Sequence, residues 1–259
     1  MISAWARALV GAGVATLLMA LSTSTLSANA SPVLLTRLGS VQEVPIDLEA
    51  RASPACAEYV VIATRGTFEA QGPTPALSGM TNYTLGNITG GIAYQTVYPA
   101  GDWTHQLGAD DIVRRIEQGL TDCPAQKYVL LGYSQGATAT AIALYNYTDI
   151  NSAGYKAIAA VVVVGNPAKR ANRISNVDQV GGSWTNGTNG VYIKLVPTIP
   201  DVWYSTKTLD VCWADDLVCN GLNFFSVINL MINHLLYKVA SVQNLGAAHI
   251  IKQLKIALA

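Results

Sequence analysis

Apolar runs alternate along the chain with segments of helical periodicity. The segment Tyr59 to Gly66 is β-branched and almost entirely apolar, which is typical of a strand buried on both faces. Ala109 to Leu120 has the apolar spacing of an amphipathic helix, with two aspartates in its first turn. A helix of small residues is predicted from Gly136 to Tyr147, and further strands at Lys127–Gly132, Ala157–Pro167 and Gly190–Pro197. This alternation predicts an α/β protein with a parallel sheet that helices cover on both faces.

The N-terminal region has the layout of a secretory signal peptide, which we assign to residues 1–30. Arg7 is its only charged residue, an apolar run follows from Ala8 to Leu21, and Ala28–Ala30 forms an Ala-x-Ala cleavage site. The apolar run is shorter than the ~20 residues of a membrane anchor. Residues 31–51 end in Arg51 and form either a propeptide, which we favour, or a short ordered lead-in. The length of residues 52–259 is typical of one domain, which we expect to be secreted.

Charge and hydropathy exclude some classes of partner. Charged residues are 12% of the chain and the formal net charge is zero. Because the chain has no basic run, nucleic acid is not an expected partner. The apolar stretch from Phe224 to Val239 is interrupted by polar residues, so we do not expect a membrane span. The sequence has no sign of an oligomer, and we expect a monomer.

The four cysteines, Cys56, Cys123, Cys212 and Cys219, predict two disulfides in an oxidising compartment. Three pairings exist. Cys212 and Cys219 are close in sequence and would staple one loop, which leaves Cys56 with Cys123. Zinc binding would need closer spacing with histidine nearby, so we expect no metal site. Candidate glycosylation sites are the four Asn-x-Thr sequons at Asn82, Asn87, Asn146 and Asn186.

A lone serine stands at the boundary between a predicted strand and a predicted helix. Gly132 to Gly136 reads Gly-Tyr-Ser-Gln-Gly and fits the nucleophile-elbow pattern G-x-S-x-G, with Ser134 at its centre. Glycines at both ends allow strand and helix to approach closely. The helix N-terminus behind the serine would present free N–H groups to developing negative charge. Ser134 is therefore the candidate nucleophile.

A serine nucleophile needs a base and an acid that orients the base. In an α/β protein with a nucleophile elbow, the acid follows the serine along the chain and the histidine follows the acid. His105 precedes Ser134 and fails this order, which leaves His234 and His249. The acid must be an aspartate, and the candidates are Asp149, Asp178, Asp201, Asp210, Asp215 and Asp216. Asp215 and Asp216 lie between Cys212 and Cys219, where a disulfide would fix their loop. We prefer His234 as the base, because His249 lies in a predicted C-terminal amphipathic helix.

These residues resemble the cutinase family of small secreted serine esterases, which also contains acetylxylan esterases. The resemblance covers Cys56 to about Val239 and rests on four motifs in order: ATRGTFE from Ala63, GYSQG from Gly132, CWADDLVC from Cys212 and HLLY from His234. It implies Ser134 as nucleophile, Asp216 as acid and His234 as base. It also implies an oxyanion hole from the backbone N–H groups of Thr67 and Gln135. It supports the pairing of Cys56 with Cys123, and it implies a small three-layer α/β-hydrolase with five parallel strands.

Two features depart from the family pattern. Phe68 stands where the family usually has a small residue. The stretch before His234 is long and apolar between Phe224 and Ile232. These residues form either a hydrophobic flap over Ser134 or part of the core. We favour the flap, because the loop before the catalytic histidine lies beside the active site.

The sequence therefore predicts a secreted serine esterase that needs no cofactor. The apolar stretch favours aliphatic acyl esters, either cutin-like polyester or short-to-medium acyl esters. Acetylated xylan is the alternative substrate, for which aromatic platforms should lie beside Ser134. An alternative from another class is a catalytically idle secreted protein that binds lipid or a surface.

Overall fold

The computed structural model describes residues 56–221 and 232–259. The predicted signal peptide and propeptide, and all but Ile232 of the stretch interpreted as a flap, lie outside the described residues. In the described ranges, no helix is long and apolar enough to cross a membrane.

A six-stranded sheet, parallel throughout, forms the centre of the fold. The strands are β1 (Tyr59–Thr64), β2 (Gly91–Gln95), β3 (Lys127–Tyr133), β4 (Ile158–Val164), β5 (Asn176–Val177) and β6 (Thr208–Val211), in the spatial order β2-β1-β3-β4-β6-β5. The predicted α/β-hydrolase architecture is confirmed, with six strands instead of five. The sixth, β5, pairs with β6 at only two positions, too short a run for a hydrophobic pattern to reveal.

Helices cover both faces of the sheet. They are α1 (Pro75–Asn87), α2 (His105–Asp122), α3 (Gln135–Ala143), α4 (Ala153–Ala157), α5 (Leu217–Asn220) and α6 (Ala240–Ala257). Alternate residues of β1 pack in two separate hydrophobic clusters. Val61 lies with α1 and α6, whereas Val60 and Ile62 lie with α2 and α3. Both faces of the sheet are buried, which explains why its central strands read as continuous apolar runs.

The prediction of a strand at Gly190–Pro197 is wrong, because this segment forms consecutive turns. Local hydrogen bonds run from the Ile193 N–H to the Gly190 carbonyl and from the Leu195 N–H to the Tyr192 carbonyl. Gly190 packs so tightly that a Cβ there would lie 2.2 Å from the Pro167 carbonyl oxygen. The alternating apolar residues mimic a strand in sequence, but their backbone lies against the loop after β4.

Candidate active site

Ser134 lies on the sharp corner between β3 and α3. Its backbone has a positive φ, with φ 53° and ψ −119°, a conformation that non-glycine residues rarely adopt. The Ser134 N–H donates a hydrogen bond of 3.0 Å to the Val164 carbonyl of β4. A Cβ at Gly136 would lie 2.1 Å from the Thr64 carbonyl oxygen, and one at Gly132 would lie 2.6 Å from that of Gly136. The two glycines therefore allow the tight strand–turn–helix that the motif predicts.

A hydrogen-bond chain joins Ser134, His234 and Asp216. The Nε2 atom of His234 lies 2.8 Å from Ser134 Oγ, and Nδ1 lies 2.8 Å from Asp216 Oδ2. Asp216 and His234 are 1% and 3% exposed, so the low local polarity strengthens these bonds. The arrangement is the one in which a carboxylate orients an imidazole toward a serine hydroxyl.

The competing candidates lie elsewhere. Asp215 is partly exposed and is not part of this hydrogen-bond chain. His249 lies on α6, where its Nε2 is 3.0 Å from the Lys207 carbonyl oxygen. Burial lowers the pKa of His249, as expected of a neutral packed histidine.

Tyr237 supports Asp216 in a way that the sequence reasoning missed. Its hydroxyl donates to Asp216 Oδ2 at 2.6 Å and accepts from the Trp213 N–H at 3.0 Å. The Val218 N–H donates to the other carboxylate oxygen at 2.9 Å. Burial and the Asp216 carboxylate raise the pKa of Tyr237 well above its ordinary value, so the phenol remains a donor. The sequence feature that could have identified Tyr237 is its position, three residues after His234.

Two neighbours fix the position of His234. Its carbonyl accepts a hydrogen bond of 2.9 Å from the Tyr133 hydroxyl, and the two rings lie 5.2 Å apart. Gly165 has φ +59°, and a Cβ there would lie 2.8 Å from His234 Cε1. The imidazole of His234 therefore packs directly against the backbone of Gly165, which has no side chain.

Thr67 and Gln135 line the same cleft as Ser134. Gln135 is the first residue of α3, so its N–H has no acceptor within the helix. Its side chain is anchored away from this N–H, because Nε2 donates to the Gly101 carbonyl at 2.8 Å.

The loop that carries Thr67 is held on both sides. The Gly66 N–H donates to Glu69 Oε2 at 2.6 Å, and the Phe68 N–H donates to the Ala100 carbonyl at 2.7 Å. Arg65 is buried, and its Nε donates to the Glu69 carbonyl at 2.8 Å. These bonds preorganise the loop on which the predicted oxyanion donor lies.

The cleft above Ser134 has a volume of about 380 Å³ and is largely apolar. Its apolar and aromatic lining includes Phe68, Trp103, Val191, Tyr192, Val196 and Leu235. Glu69 and Asp102 are its acidic members, and no lysine or arginine is found among the described lining residues. Burial lowers the pKa of His105, which also lines the cleft. The electrostatic environment of this cleft therefore favours a neutral substrate over an anion.

Both expected disulfides form, Cys56–Cys123 and Cys212–Cys219. The second closes the loop that carries Asp216. Of the predicted sequons, Asn82, Asn87 and Asn146 are exposed, whereas Asn186 is partly buried. Occupancy of the sequons stays a prediction.

The parallel sheet, the elbow at Ser134 and the order serine, aspartate, histidine together define an α/β-hydrolase. Residues 55–254 match the family model described as Cutinase. The chain is 31% identical over 179 residues to Carboxylesterase Culp1 of Mycobacterium tuberculosis. The alignment covers 66% of this chain and 72% of that protein. Phospholipase Culp4 of the same organism is 29% identical over 188 residues, which covers 66% of this chain and 71% of that protein.

Two solved structures extend the comparison. A cutinase-like protein from Cryptococcus sp. has a TM-score of 0.69 and 36% identity, over 78% of this chain and 97% of that chain. The catalytic core domain of an acetyl xylan esterase from Trichoderma reesei shares the fold, with a TM-score of 0.58 and 21% identity over 76% of this chain and 99% of that chain. The chain belongs to the cutinase family of carboxylic ester hydrolases.

Proposed function

We propose that this protein is a secreted serine esterase in which Ser134, His234 and Asp216 form the catalytic triad. The observation that carries the proposal is the unbroken hydrogen-bond chain from Ser134 Oγ through the imidazole to the Asp216 carboxylate. A buried carboxylate at this position holds the Nδ1–H tautomer, so Nε2 is free to accept the serine proton.

Acylation begins when Ser134 Oγ attacks the carbonyl carbon of the ester while His234 Nε2 takes the hydroxyl proton. The carbonyl electrons move onto oxygen, and the backbone N–H groups of Thr67 and Gln135 stabilise this oxyanion. Loss of one such donor in a well-studied protease costs ~3–4 kcal/mol. The tetrahedral intermediate collapses, the C–O bond to the alcohol breaks, and protonated His234 donates its proton to the leaving oxygen.

Deacylation repeats these steps with water. His234 removes a proton from a water molecule as its oxygen attacks the acyl carbon. The second tetrahedral intermediate uses the same two N–H donors. Its collapse releases the carboxylic acid and returns the proton to Ser134. Every proton transfer uses side chains of this chain, and we propose no cofactor.

The proposed substrates are neutral aliphatic acyl esters, either cutin-like polyester or short-to-medium acyl esters. The apolar lining of the cleft favours an acyl chain, and Glu69 and Asp102 disfavour a phosphate group. Acetylated xylan is the second candidate, because Trp103 is exposed at the cleft and offers a flat surface to a sugar ring. A catalytically idle binding protein is less well supported, because an idle site has no need of the short bonds among the triad residues.

The two disulfides and the predicted signal peptide support a secreted location. Residues 31–51 are proposed as a propeptide that is removed after Arg51. The exposed sequons at Asn82, Asn87 and Asn146 are the proposed glycan sites in a eukaryotic host.

The test is hydrolysis of p-nitrophenyl esters from acetate to palmitate by the wild type, Ser134→Ala and the matched control Ser183→Ala. Ser183 is an exposed serine that is absent from the cleft lining. We expect the wild type and Ser183→Ala to be equally active and Ser134→Ala to lose about three orders of magnitude or more in kcat. Activity that survives in Ser134→Ala would refute the proposed nucleophile. Activity confined to acetate would favour a polysaccharide deacetylase.

A further inference from the structure

Two loops from opposite sides of β3 meet above Ser134. Trp103 lies in the loop after β2, and Tyr192 lies in the segment between β5 and β6. In the sheet, β3 lies between β2 and these two strands. The two aromatic rings are 5.6 Å apart between centroids and tilted by 32°, which is a contact distance for aromatic pairs. Both residues line the cleft that contains Ser134.

The loop on the Trp103 side is strained. Ala100 and Trp103 have φ of 53° and 57°, and a bulky residue such as tryptophan with positive φ is a costly outlier. Trp103 remains 59% exposed, so burial of the indole does not repay this cost in full. The strained residue lines the cleft, which points to a role there.

Both loops are anchored close to the catalytic groups. Gln135 Nε2 donates to the Gly101 carbonyl at 2.8 Å, and Thr104 Oγ1 lies 3.2 Å from Gln135 Oε1. On the other side, the Tyr192 N–H donates to the Pro167 carbonyl at 2.9 Å. Pro167 lies two residues after Gly165, which packs against His234. The ring contact is thus held in a fixed position relative to Ser134.

We propose that Trp103 and Tyr192 form an aromatic clasp that limits the length of the acyl chain. The inference rests on the proposed function and names its substrate class: neutral esters of short-to-medium acyl chains. Rings in contact leave no passage for a hydrocarbon chain between them. A short acyl chain fits within the cleft, whereas a long one must separate the rings and lose their contact.

The experiment measures kcat/KM for p-nitrophenyl butyrate and palmitate with Trp103→Ala, Tyr192→Ala, the double variant and the control Trp184→Ala. Trp184 is 88% exposed and lies outside the cleft lining. We expect the wild type to prefer butyrate. Trp103→Ala and Tyr192→Ala should each raise the palmitate-to-butyrate ratio by about two- to tenfold, the range that loss of one aromatic contact supplies. The double variant should raise it no further than the larger single effect, because one contact is lost in each case.

Two results would overturn the clasp. One is a palmitate-to-butyrate ratio that stays the same in both single variants. The other is a palmitate-to-butyrate ratio that falls, since the two rings would then be a platform that binds long acyl chains. If Trp103→Ala does not fold, Trp103→Leu and Tyr192→Ala carry the same test. If the wild type has no esterase activity, or Ser134→Ala retains it, the proposed function fails instead. Normal butyrate hydrolysis with an unchanged ratio means that only the clasp fails.

Discussion

Asp216 accepts hydrogen bonds from three groups, and each restricts where its carboxylate can lie. One oxygen receives the Tyr237 hydroxyl and the His234 Nδ1–H, and the other receives the Val218 N–H. Charge-assisted bonds of this kind are about twice as strong as neutral ones. At the scale of single residues, these three hydrogen bonds keep the carboxylate in line with the imidazole before substrate binds.

The Tyr237 hydroxyl is therefore a positioning group, and Tyr237→Phe should lower kcat by about tenfold with little change in KM. Loss of the hydroxyl removes one of the three bonds that hold the Asp216 carboxylate and leaves the Trp213 N–H without its acceptor. Steady-state kinetics on p-nitrophenyl butyrate measure the effect. Tyr145→Phe is the matched control, since Tyr145 is half-exposed and outside the cleft. Equal kcat in the two variants would show that the phenol does not position Asp216.

Gly136 is a point of close approach between α3 and β1. A Cβ at this residue would lie 2.1 Å from the Thr64 carbonyl oxygen and 2.6 Å from that of Arg65, both of which are backbone atoms. A backbone clash cannot be relieved by rotating a side chain. The packing of these two elements, and hence the corner at Ser134, depends on the absence of a side chain here.

We predict that Gly136→Ala lowers the free energy of unfolding by about 1–3 kcal/mol or more, because strand and helix must separate. Gly86→Ala is the control, since Gly86 lies in α1 with nothing near its Cβ position. That change should raise the free energy of unfolding by about 0.5–1 kcal/mol. Urea denaturation gives both values. If Gly136→Ala is as stable as the wild type, the close approach of α3 and β1 is not needed.

The two disulfides act on different properties. Cys56–Cys123 closes a separation of 67 residues, whereas Cys212–Cys219 closes 7 residues around Asp216. In the chain-entropy account they are worth about 4 and about 2 kcal/mol, respectively. Replacing Cys56 and Cys123 by alanine should cause the larger loss of stability, and replacing Cys212 and Cys219 the larger loss of kcat.

Urea denaturation and p-nitrophenyl butyrate kinetics on the two double variants test this division. Each variant serves as the control for the other. The reverse order, with the short loop dominating stability and the long loop dominating kcat, would contradict it.

The sequence was sufficient for elements with strong local signals and insufficient for the rest. The buried strands β1, β3 and β4 follow from their apolar runs, and the elbow follows from its glycines. Gly190–Pro197 was misassigned because its apolar alternation matches a strand, while its hydrogen bonds form within turns. The aromatic clasp was not predictable, because Trp103 and Tyr192 come from distant segments and meet only when the sheet order brings their loops together.

At the scale of the whole molecule, Asp210 links stability to pH. Asp210 lies in β6 and is fully buried, and its Oδ2 accepts a hydrogen bond of 2.8 Å from Asn166. Burial raises the pKa of Asp210 to about 6, although the Asn166 bond and the charge of Lys169 partly oppose this rise. A raised carboxyl pKa means that the folded state binds a proton that the unfolded state has released. Stability from this group is therefore present at low pH and is lost as the pH rises from about 4 through 6.

Asp210→Asn removes this titration. Relative to the variant, the wild type should lose about 3 kcal/mol of unfolding free energy between about pH 3 and pH 8. Urea denaturation of both proteins across this range gives the difference at each pH. Asp215→Asn is the control, because Asp215 is partly exposed. A difference that does not depend on pH would mean that folding leaves the pKa of Asp210 unchanged, and a change in the opposite direction would mean that folding lowers it; either result contradicts the prediction.

The measurement that tests the central claim most directly is covalent labelling by an organophosphate, followed by peptide mass spectrometry. The reagent reacts with a serine only when a neighbouring base and an oxyanion hole activate it. We expect one label per molecule, located on Ser134, with loss of esterase activity in proportion to labelling. His234→Ala should abolish both. A label on another residue, or full activity with Ser134 unmodified, would contradict the assignment of Ser134 as the nucleophile.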